Sequence, residues 1–358
     1  SDSEGLTMKD LLPRSGVAKL LPGVGSPKCD WAWRGIIAFT AMVCVYKAFH
    51  AGYPDSYKRR HLSRFVRPGL HWVNAGWAAA TLAMLHSIRR LMMSAAMQVA
   101  LYDEMYASSS DKLRSFLHKA CVFAIFITVT DFAGWYGMVT ADHTINVGLV
   151  ALLFTCNIVR CVFYIAFLMV WKLSANSVDR LSARVKSEHH SIGWDGLSRE
   201  YQYTLRLLDN LWRTSRIAMS VAIIIAGKLL WGGAAMTLGF VDRDQTWVVY
   251  HYVSAAREGA LTVLLLYLMA SISSRCHSMR RAKRSLWHIA VQQYGLVPQE
   301  QVVDHHCFMQ CVKGLPCGVE ITGVGMVTMP FALTVLRIVA TTIPVCFSMA
   351  LKLAQSSK

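Results

Sequence analysis

Long apolar runs, separated by polar and basic segments, recur along the chain from residue 31 onward. An apolar run of about 20 residues is long enough to cross the hydrocarbon core of a bilayer as a helix. The pattern therefore predicts seven membrane-spanning helices. They cover approximately residues 31–53, 70–93, 120–140, 145–171, 197–240, 246–271 and 318–352.

Three of these predicted helices are longer than a membrane is thick. The fourth continues as a polar helix over 172–186, and the fifth contains no Gly or Pro from Leu197 until Gly227. The sixth is predicted over 246–294, because a basic helical segment follows its apolar part after Ser271. A helix of about 40 residues is roughly 60 Å long, about twice the hydrocarbon thickness. We therefore expect these three helices to project from one side of the membrane.

The connections between the predicted spans indicate their orientation. The third-to-fourth and fifth-to-sixth connections are short and lack lysine, whereas the second-to-third, fourth-to-fifth and sixth-to-seventh connections are basic. Basic connections are typically cytoplasmic. We therefore expect the N-terminus inside and the C-terminus outside. The basic loop 57–64 is an exception, since it falls outside in this orientation.

Composition and charge agree with a membrane protein and exclude two other classes. Only 16% of the residues are charged, against about 25% in soluble domains. The net charge of +16 would indicate a nucleic-acid partner in a soluble protein. Here the basic residues lie between apolar runs, where they contact lipid headgroups, so membrane lipid is the expected partner and nucleic acid is not. The ten cysteines lie mostly in apolar runs, which indicates no disulfide framework.

The order of these features resembles one family of membrane proteins. Three extended helices are followed by a short amphipathic helix over 299–313, a small-residue linker, LPCGVEITG, and a final apolar helix. This arrangement is similar to that of the insect gustatory and odorant receptor superfamily and its gustatory-receptor-like relatives, which are seven-transmembrane ion channels. That superfamily carries a Thr-Tyr pair in its last span and a Gln-containing end. Thr341-Thr342 and Ser348-Met349 stand at those places here, so both motifs depart from the family pattern.

The resemblance implies a homotetramer, in which projecting helix ends form a cytoplasmic anchor domain and four last helices line one pore. The chain then divides into a cytoplasmic lead 1–30, membrane helices 31–275 with cytoplasmic extensions at 172–216, an anchor region 276–317, and a pore helix with its tail, 318–358. Independently, apolar residues at helical spacing on a projecting segment require partners. These residues are Tyr203, Leu207, Leu208 and Leu211.

The last apolar run carries polar groups at membrane depth, where such groups usually face protein or a water-filled path. Thr341, Val345, Ser348 and Lys352 recur every three or four residues and therefore share one helix face. This face is interpreted as the pore lining, with a packing face as the alternative. The candidate pore and gate residues are Arg337, Thr341, Pro344, Val345, Ser348, Met349 and Lys352.

Gating and ion preference depend on particular members of this set. A ring of Val345 and Met349 can close a pore by excluding water, and Pro344 loosens the helix beside it. Several copies of Arg337 facing the lumen would repel cations, which predicts weak conduction or an anion preference. If Arg337 instead pairs with a neighbouring helix, cation conduction is expected.

Aromatic and polar side chains in the outer halves of spans two to six predict a small-molecule pocket, because such sites combine apolar walls with a few polar groups. The carboxylates Asp131 and Glu258 need partners in a membrane, such as Arg160, Lys228 or Arg257. They can hold a ligand cation within an aromatic cage, or form structural ion pairs. The candidate pocket residues are Trp72, Trp77, Asp131, Trp135, Tyr136, Asn157, Trp231, His251, Tyr252 and Glu258.

No pattern indicates a cofactor, a metal or an enzymatic reaction. The histidines and cysteines between His305 and Cys317 fit no standard zinc spacing. We therefore expect a homotetrameric, ligand-gated, chemoreceptor-like ion channel of the plasma membrane, with an unidentified small-molecule ligand. The alternatives are a non-conducting scaffold or lipid-binding protein of the same fold, or a carrier. Carriers often contain internal repeats, which this sequence lacks.

Overall fold

The structure is a computed structural model, and it describes residues 35–36, 38–42, 66–107, 110–140, 147–241, 245–277 and 285–356. Within these ranges it leaves out the side chains of residues 66–75, 77–78, 105–112, 131–153, 189–191 and 245–247. Residues 35–36 and 38–42 are helical and fall within the predicted first span.

Nearly all of the described chain is helical. The helices are α1 (Val66–Met92), α2 (Ala95–Ala107), α3 (Ser110–Thr140), α4 (Val147–Ser187), α5 (His189–Asp209), α6 (Ile217–Val241), α7 (Gln245–His277), α8 (Leu286–Gln293), α9 (Val302–Gly314) and α10 (Met329–Ser356). A π-helical turn, Asn210–Thr214, follows α5, and 3₁₀ turns lie at Tyr294–Leu296 and Gln299–Gln301. An antiparallel hairpin pairs β1 (Glu320–Ile321) with β2 (Gly325–Met326).

Within the described residues, five helices are long and apolar enough to cross a membrane. The chain is therefore an all-α membrane protein with several spans, as predicted. α1 coincides with the predicted second span, whereas the total of seven spans and their orientation stay predictions. The five membrane-length stretches are Leu113–Thr130 in α3, Phe154–Ser187 in α4, Ile217–Val241 in α6, Val248–His277 in α7 and Met329–Ser356 in α10.

The long fourth helix and the short amphipathic helix are both found where the sequence predicts them. α4 runs without a break for 41 residues, which corresponds to roughly 60 Å. The amphipathic segment begins as the 3₁₀ turn Gln299–Gln301 and continues as α9. α4 contains no Pro, and its only Gly, Gly148, lies in its first turn; the segment 299–313 contains neither residue. Local propensity and tertiary structure therefore agree.

The predicted unbroken fifth helix is wrong. α5 ends at Asp209, one π-helical turn follows, and the chain leaves right-handed geometry at Arg216, whose φ is 64°. The Ser215 hydroxyl donates to the Leu211 carbonyl, and the Ser87 hydroxyl of α1 donates to the Arg216 carbonyl at 3.1 Å. A non-glycine residue in the left-handed region costs roughly 1–2 kcal/mol. The contact with α1 therefore helps to stabilise a bend that the local sequence disfavours.

Two further predicted helix boundaries are also wrong. The fifth helical segment begins at His189 rather than near Leu197, and it is kinked at Gly193, whose φ is 74°. The sixth helix does not run to residue 294, because Ser285 is extended (φ −84°, ψ 144°) and caps a separate helix, α8. Its hydroxyl accepts a hydrogen bond from the His288 N–H at 3.4 Å. A serine in this role is a typical helix start.

The last helix begins at Met329, eleven residues later than its predicted start at residue 318. The β1–β2 hairpin occupies part of the difference. Gly323 in its turn and Gly325 at the start of β2 have φ values of 85° and 92°. Glycine adopts such values without the steric cost of a side chain. Two-residue strands are too short to show the alternating pattern that predicts a strand, so the sequence offered little signal here.

α8 and α9 pack against α4 and α5 at one end of the bundle. The Trp194 ring of α5 lies 4.2 Å from the His305 ring and 5.5 Å from the Phe308 ring of α9, centroid to centroid. His305 Nε2 also hydrogen-bonds the Ala290 carbonyl at 2.9 Å. His305 is therefore a packing residue. Among the described residues, no group of three or more His, Cys, Asp or Glu is placed to hold a metal.

The apolar positions of α5 and the π turn are covered mainly within the chain. Leu207, Leu208 and Leu211 are buried, and only Tyr203 is substantially exposed, at 49%. Their burial follows from packing inside one copy, which supplies the partners that these apolar residues require. Support for self-association has to come from another surface.

Candidate functional site

α10 lies at the edge of the helical bundle. Only 6% of its membrane-length stretch is buried, compared with 44% for α6 and 50% for α7, the two helices that it contacts. A helix packed on one side leaves most of its surface to lipid, water or another protein chain. α10 is therefore the membrane-length helix that the described part of the chain covers least.

One narrow face of α10 fits closely against α7. Its most buried residues are Ala332, Ala350 and Ala354, which are all small. At Gly259 of α7, an added Cβ would lie 2.6 Å from Cγ1 of Val339, so a larger residue does not fit there. Small residues allow membrane helices to approach closely, and here they decide which face of α10 turns inward.

A polar stripe runs along the opposite face of α10. At 100° per residue, it is centred roughly 180° from the buried alanines. From Thr334 to Gln355 it extends about 32 Å, close to the thickness of the hydrocarbon core. All of its members are exposed. We define the polar stripe as Thr334, Arg337, Thr341, Ser348, Lys352 and Gln355.

The structure places all seven predicted pore residues on the exposed surface of α10. Thr341, Ser348 and Lys352 share one face with Val345, as their spacing predicts. Met349 lies on one flank of the helix, roughly 80° from Thr341. Pro344 belongs to the same helical segment and lies on the other flank. The assignment of this face to a pore stays a prediction.

The polar stripe combines hydroxyls that are hydrogen-bonded within α10 with two cations. The Thr334 and Thr341 hydroxyls donate to the carbonyls of Pro330 and Arg337, at 2.9 and 2.8 Å. Each hydroxyl oxygen still offers its lone pairs to the outside. Across the part of the chain that the structure describes, no carboxylate forms an ion pair with Arg337 or Lys352. The stripe thus presents acceptor oxygens between two exposed cations.

A second charged group lies between α6 and α7. Lys228 Nζ lies 2.5 Å from Glu258 Oε2, and Arg257 Nη2 lies 2.6 Å from Glu258 Oε1. The side chains of Lys228 and Glu258 are 0% and 3% exposed. Both carboxylate oxygens are therefore occupied by protein cations. Two of the partners predicted for Glu258 are confirmed, and this arrangement favours the structural ion pair over the cation-binding alternative.

The other predicted pocket residues that the structure describes form packing contacts. Asn157, His251 and Tyr252 are buried, and Trp231 is partly exposed. The Tyr252 ring lies 5.3 Å from the ring of Phe347 on α10, centroid to centroid. The remaining predicted side chains lie outside the described ones. They are those of Trp72, Trp77, Asp131, Trp135 and Tyr136.

Two cavities between described helices are lined by none of the predicted pocket residues. The larger, of about 870 Å³, lies between α2, α4 and α5. Charged pairs line it, including Arg184 Nη1 and Glu200 Oε1 at 2.9 Å. Arg180, also in its lining, pairs through Nη2 with Glu104 Oε2 at 3.0 Å. Several of the charges in this lining therefore pair with one another.

The smaller cavity is an apolar groove of about 430 Å³ on one flank of α7 and α10. Sequence reasoning missed it, although small residues four apart, such as Ala256 and Ala260, are typical of surfaces where membrane helices meet. We call it the α7–α10 groove. Its lining includes Ala256, Ala260, Tyr267, Leu336, Ala340 and Pro344.

No protein-family model matches the sequence, and no curated protein matches it significantly. A functional assignment therefore rests on two features of the structure, the polar stripe and the α7–α10 groove.

Proposed function

We propose that several copies of this chain assemble into a membrane channel, with one α10 from each copy around a central water-filled path. The observation that supports it is the polar stripe, which crosses the membrane thickness on the face turned away from the bundle. The resemblance stated above adds the homotetramer, the inside N-terminus and the gating by a small molecule.

The stripe is costly if it faces lipid. A single Arg or Lys at the centre of a membrane helix costs about 2.5–3.5 kcal/mol on insertion scales, and less toward the ends. This helix exposes several hydroxyls, with Arg337 and Lys352 on either side of its centre. Water between neighbouring copies of α10 removes that cost, because it solvates every group in the stripe. Closed rings of identical subunits are the common way to build such a path.

The proposed path has a defined narrow section. Val345 and Met349 are exposed apolar residues, at 58% and 54%, on the half of α10 that follows Thr341. Rings of apolar side chains can close a pore by excluding water, and hydroxyls support ions once it widens. Pro344 lacks an N–H and leaves the carbonyl of Ala340 without its usual helical partner. This local weakness allows the half after Pro344 to move.

Movement of α7 provides a route by which a bound ligand changes the width of the path. α7 contacts α10 at Gly259, and the Ser273 hydroxyl of α7 donates to the Val327 carbonyl, just before α10, at 3.2 Å. α7 is joined to α6 by the Lys228–Glu258 ion pair. A ligand that shifts α6 and α7 would therefore carry α10 with them.

The experiment compares two adjacent positions of α10 after reconstitution of the full chain in planar bilayers. Thr341 lies in the stripe, and Ala340 is exposed roughly 100° away on the flank opposite Met349, so Thr341→Cys and Ala340→Cys are the paired variants. A charged, water-soluble methanethiosulfonate should block current through Thr341→Cys and leave Ala340→Cys and the wild type unchanged.

Equal block of both cysteine variants would contradict a path lined by the stripe. An absence of current from correctly assembled oligomers, across a panel of small-molecule ligands, would contradict conduction and favour the non-conducting alternative. Val345→Ala and Met349→Ala test the narrow section separately. Either substitution should increase the current measured without ligand, because it widens an apolar ring.

A further inference from the structure

The α7–α10 groove is an apolar depression at membrane depth. Its floor consists of the small residues Ala256 and Ala260 on α7 and Ala340 on α10, and its volume is about 430 Å³. This volume lies in the range of small-molecule sites, about 300–1,000 Å³. Between Leu336 and Pro344 it follows α10 for eight residues, or about 12 Å. The groove is therefore long and narrow, parallel to the helices.

Arg337 does not itself line this groove, but helical spacing places it beside the α10 residues that do. It precedes Ala340 by three residues and Pro344 by seven, so the three share a flank of α10. Its side chain is exposed, and none of the described carboxylates pairs with it. Arg337 follows Met329 by eight residues, or about 12 Å along the axis, and helical side chains tilt toward the N-terminus. The guanidinium can therefore reach the headgroup level on the Met329 side.

We propose that the α7–α10 groove holds an acyl chain of an anionic phospholipid whose phosphate binds Arg337. A guanidinium donates two parallel hydrogen bonds to a phosphate, and both groups are charged. The apolar groove then orders the chain below the headgroup. The lipid comes from the leaflet nearest Met329. In the proposed orientation that is the cytoplasmic leaflet, which is rich in anionic lipid.

A phospholipid fits this surface better than a soluble anion or another helix. A soluble anion would leave the apolar groove empty, and a second copy of α10 would bring another unpaired Arg337 to the same rim. The groove opens on a flank of α10, between its packed face and the polar stripe. A lipid can therefore occupy it while the stripe faces a central path.

The bound phosphate would change the behaviour of the proposed channel. It neutralises Arg337, which otherwise repels cations from a path lined by several copies of α10. This consequence rests on the proposed channel function. The binding itself does not, because it requires only the groove and the arginine within one copy.

The binding test uses the purified full chain in detergent and native mass spectrometry. Palmitoyl-oleoyl phosphatidylserine is compared with palmitoyl-oleoyl phosphatidylcholine, which has the same chains and no net charge. The wild type should retain phosphatidylserine about tenfold more tightly, as expected for one charge-assisted contact. Arg337→Gln should remove this preference, whereas Arg337→Lys should keep part of it. Lys352→Gln is the matched control, since Lys352 lies on the same helix away from the groove, and it should keep all of it.

Two further variants separate the groove from the charge. Ala340→Phe fills the groove and should reduce retention of both lipids. Its thermal transition should match that of the wild type, which shows that the variant is still folded. Glycerophosphoserine, which carries the headgroup without chains, should not compete. Equal retention of both lipids by the wild type, or equal losses in Arg337→Gln and Lys352→Gln, would overturn the proposal. Because no current is measured, a failed channel experiment leaves this result unaffected.

Discussion

The membrane part of this protein carries charge in two contrasting places. Between α6 and α7, Glu258 is buried and both of its oxygens are held by Lys228 and Arg257. On α10, Arg337 and Lys352 are exposed, and no described carboxylate pairs with them. Charge in the first place joins two helices of one chain. Charge in the second place has no counter-charge among the described residues, and this difference leads to both proposals.

The largest expected effect comes from breaking the buried ion pair. Glu258→Gln leaves Lys228 buried without a counter-charge, and removing one partner of a buried pair typically costs about 3–5 kcal/mol. The free energy of unfolding, measured by titration with a denaturing detergent, should fall by this amount. Lys228→Met combined with Glu258→Gln should recover most of it, because an apolar replacement removes the stranded charge.

The matching substitution on α10 should behave differently. Lys352→Met removes an exposed charge with no partner among the described residues, so the free energy of unfolding should change by less than about 0.5 kcal/mol. A loss as large as that of Glu258→Gln would break the comparison. It would mean that Lys352 is paired within one copy.

An intermediate effect is expected where α7, which carries Glu258, contacts α10. In Gly259→Ala the new Cβ would lie 2.6 Å from Val339 Cγ1, so α10 must move away from α7. Overpacking of this kind costs about 1–3 kcal/mol in the free energy of unfolding. Val339→Ala in the same chain should restore stability, because it removes the clashing methyl groups. A Gly259→Ala variant as stable as the wild type would show that α10 is not held against α7.

A smaller effect than that of Gly259→Ala is expected when a hydrogen-bonded hydroxyl is compared with an exposed one. The Tyr201 hydroxyl of α5 donates to the Leu315 carbonyl at 2.5 Å, and its loss in Tyr201→Phe should cost about 1 kcal/mol of unfolding free energy. Ser348→Ala, on the polar stripe, should cost almost nothing by the same measurement. Similar costs for both substitutions would remove the distinction between the two regions.

Tyr201 also predicts a dependence on pH. Burial raises the pKa of Tyr201 above its usual value of 10, so the folded state favours the neutral hydroxyl. Its contribution to stability is fully present below pH 10 and decreases as the pH rises above that value, because only the unfolded tyrosine ionises readily. Tyr201→Phe should show a smaller alkaline decrease in the free energy of unfolding than the wild type.

Several local features of the fold were predictable from the sequence, and others were not. The unbroken α4 was predictable because it contains no Pro and its only Gly, Gly148, lies in its first turn. The bend at Arg216 was not, because its hydrogen bond to Ser87 joins residues distant in sequence. A partner for Glu258 was predictable, since a membrane carboxylate requires one. The choice of Lys228 and Arg257 over Arg160 follows from the packing of α6 on α7.

The sequence by itself determined that this protein spans a membrane several times and that its last helix has one polar face, because both follow from local hydrophobicity and helical period. Only the tertiary structure decided where that face points. Gly259 and the small residues of α10 bring the opposite face against α7, so Thr341, Ser348 and Lys352 turn outward. Close packing depends on the shapes of two surfaces together, and a single periodic pattern contains only one of them.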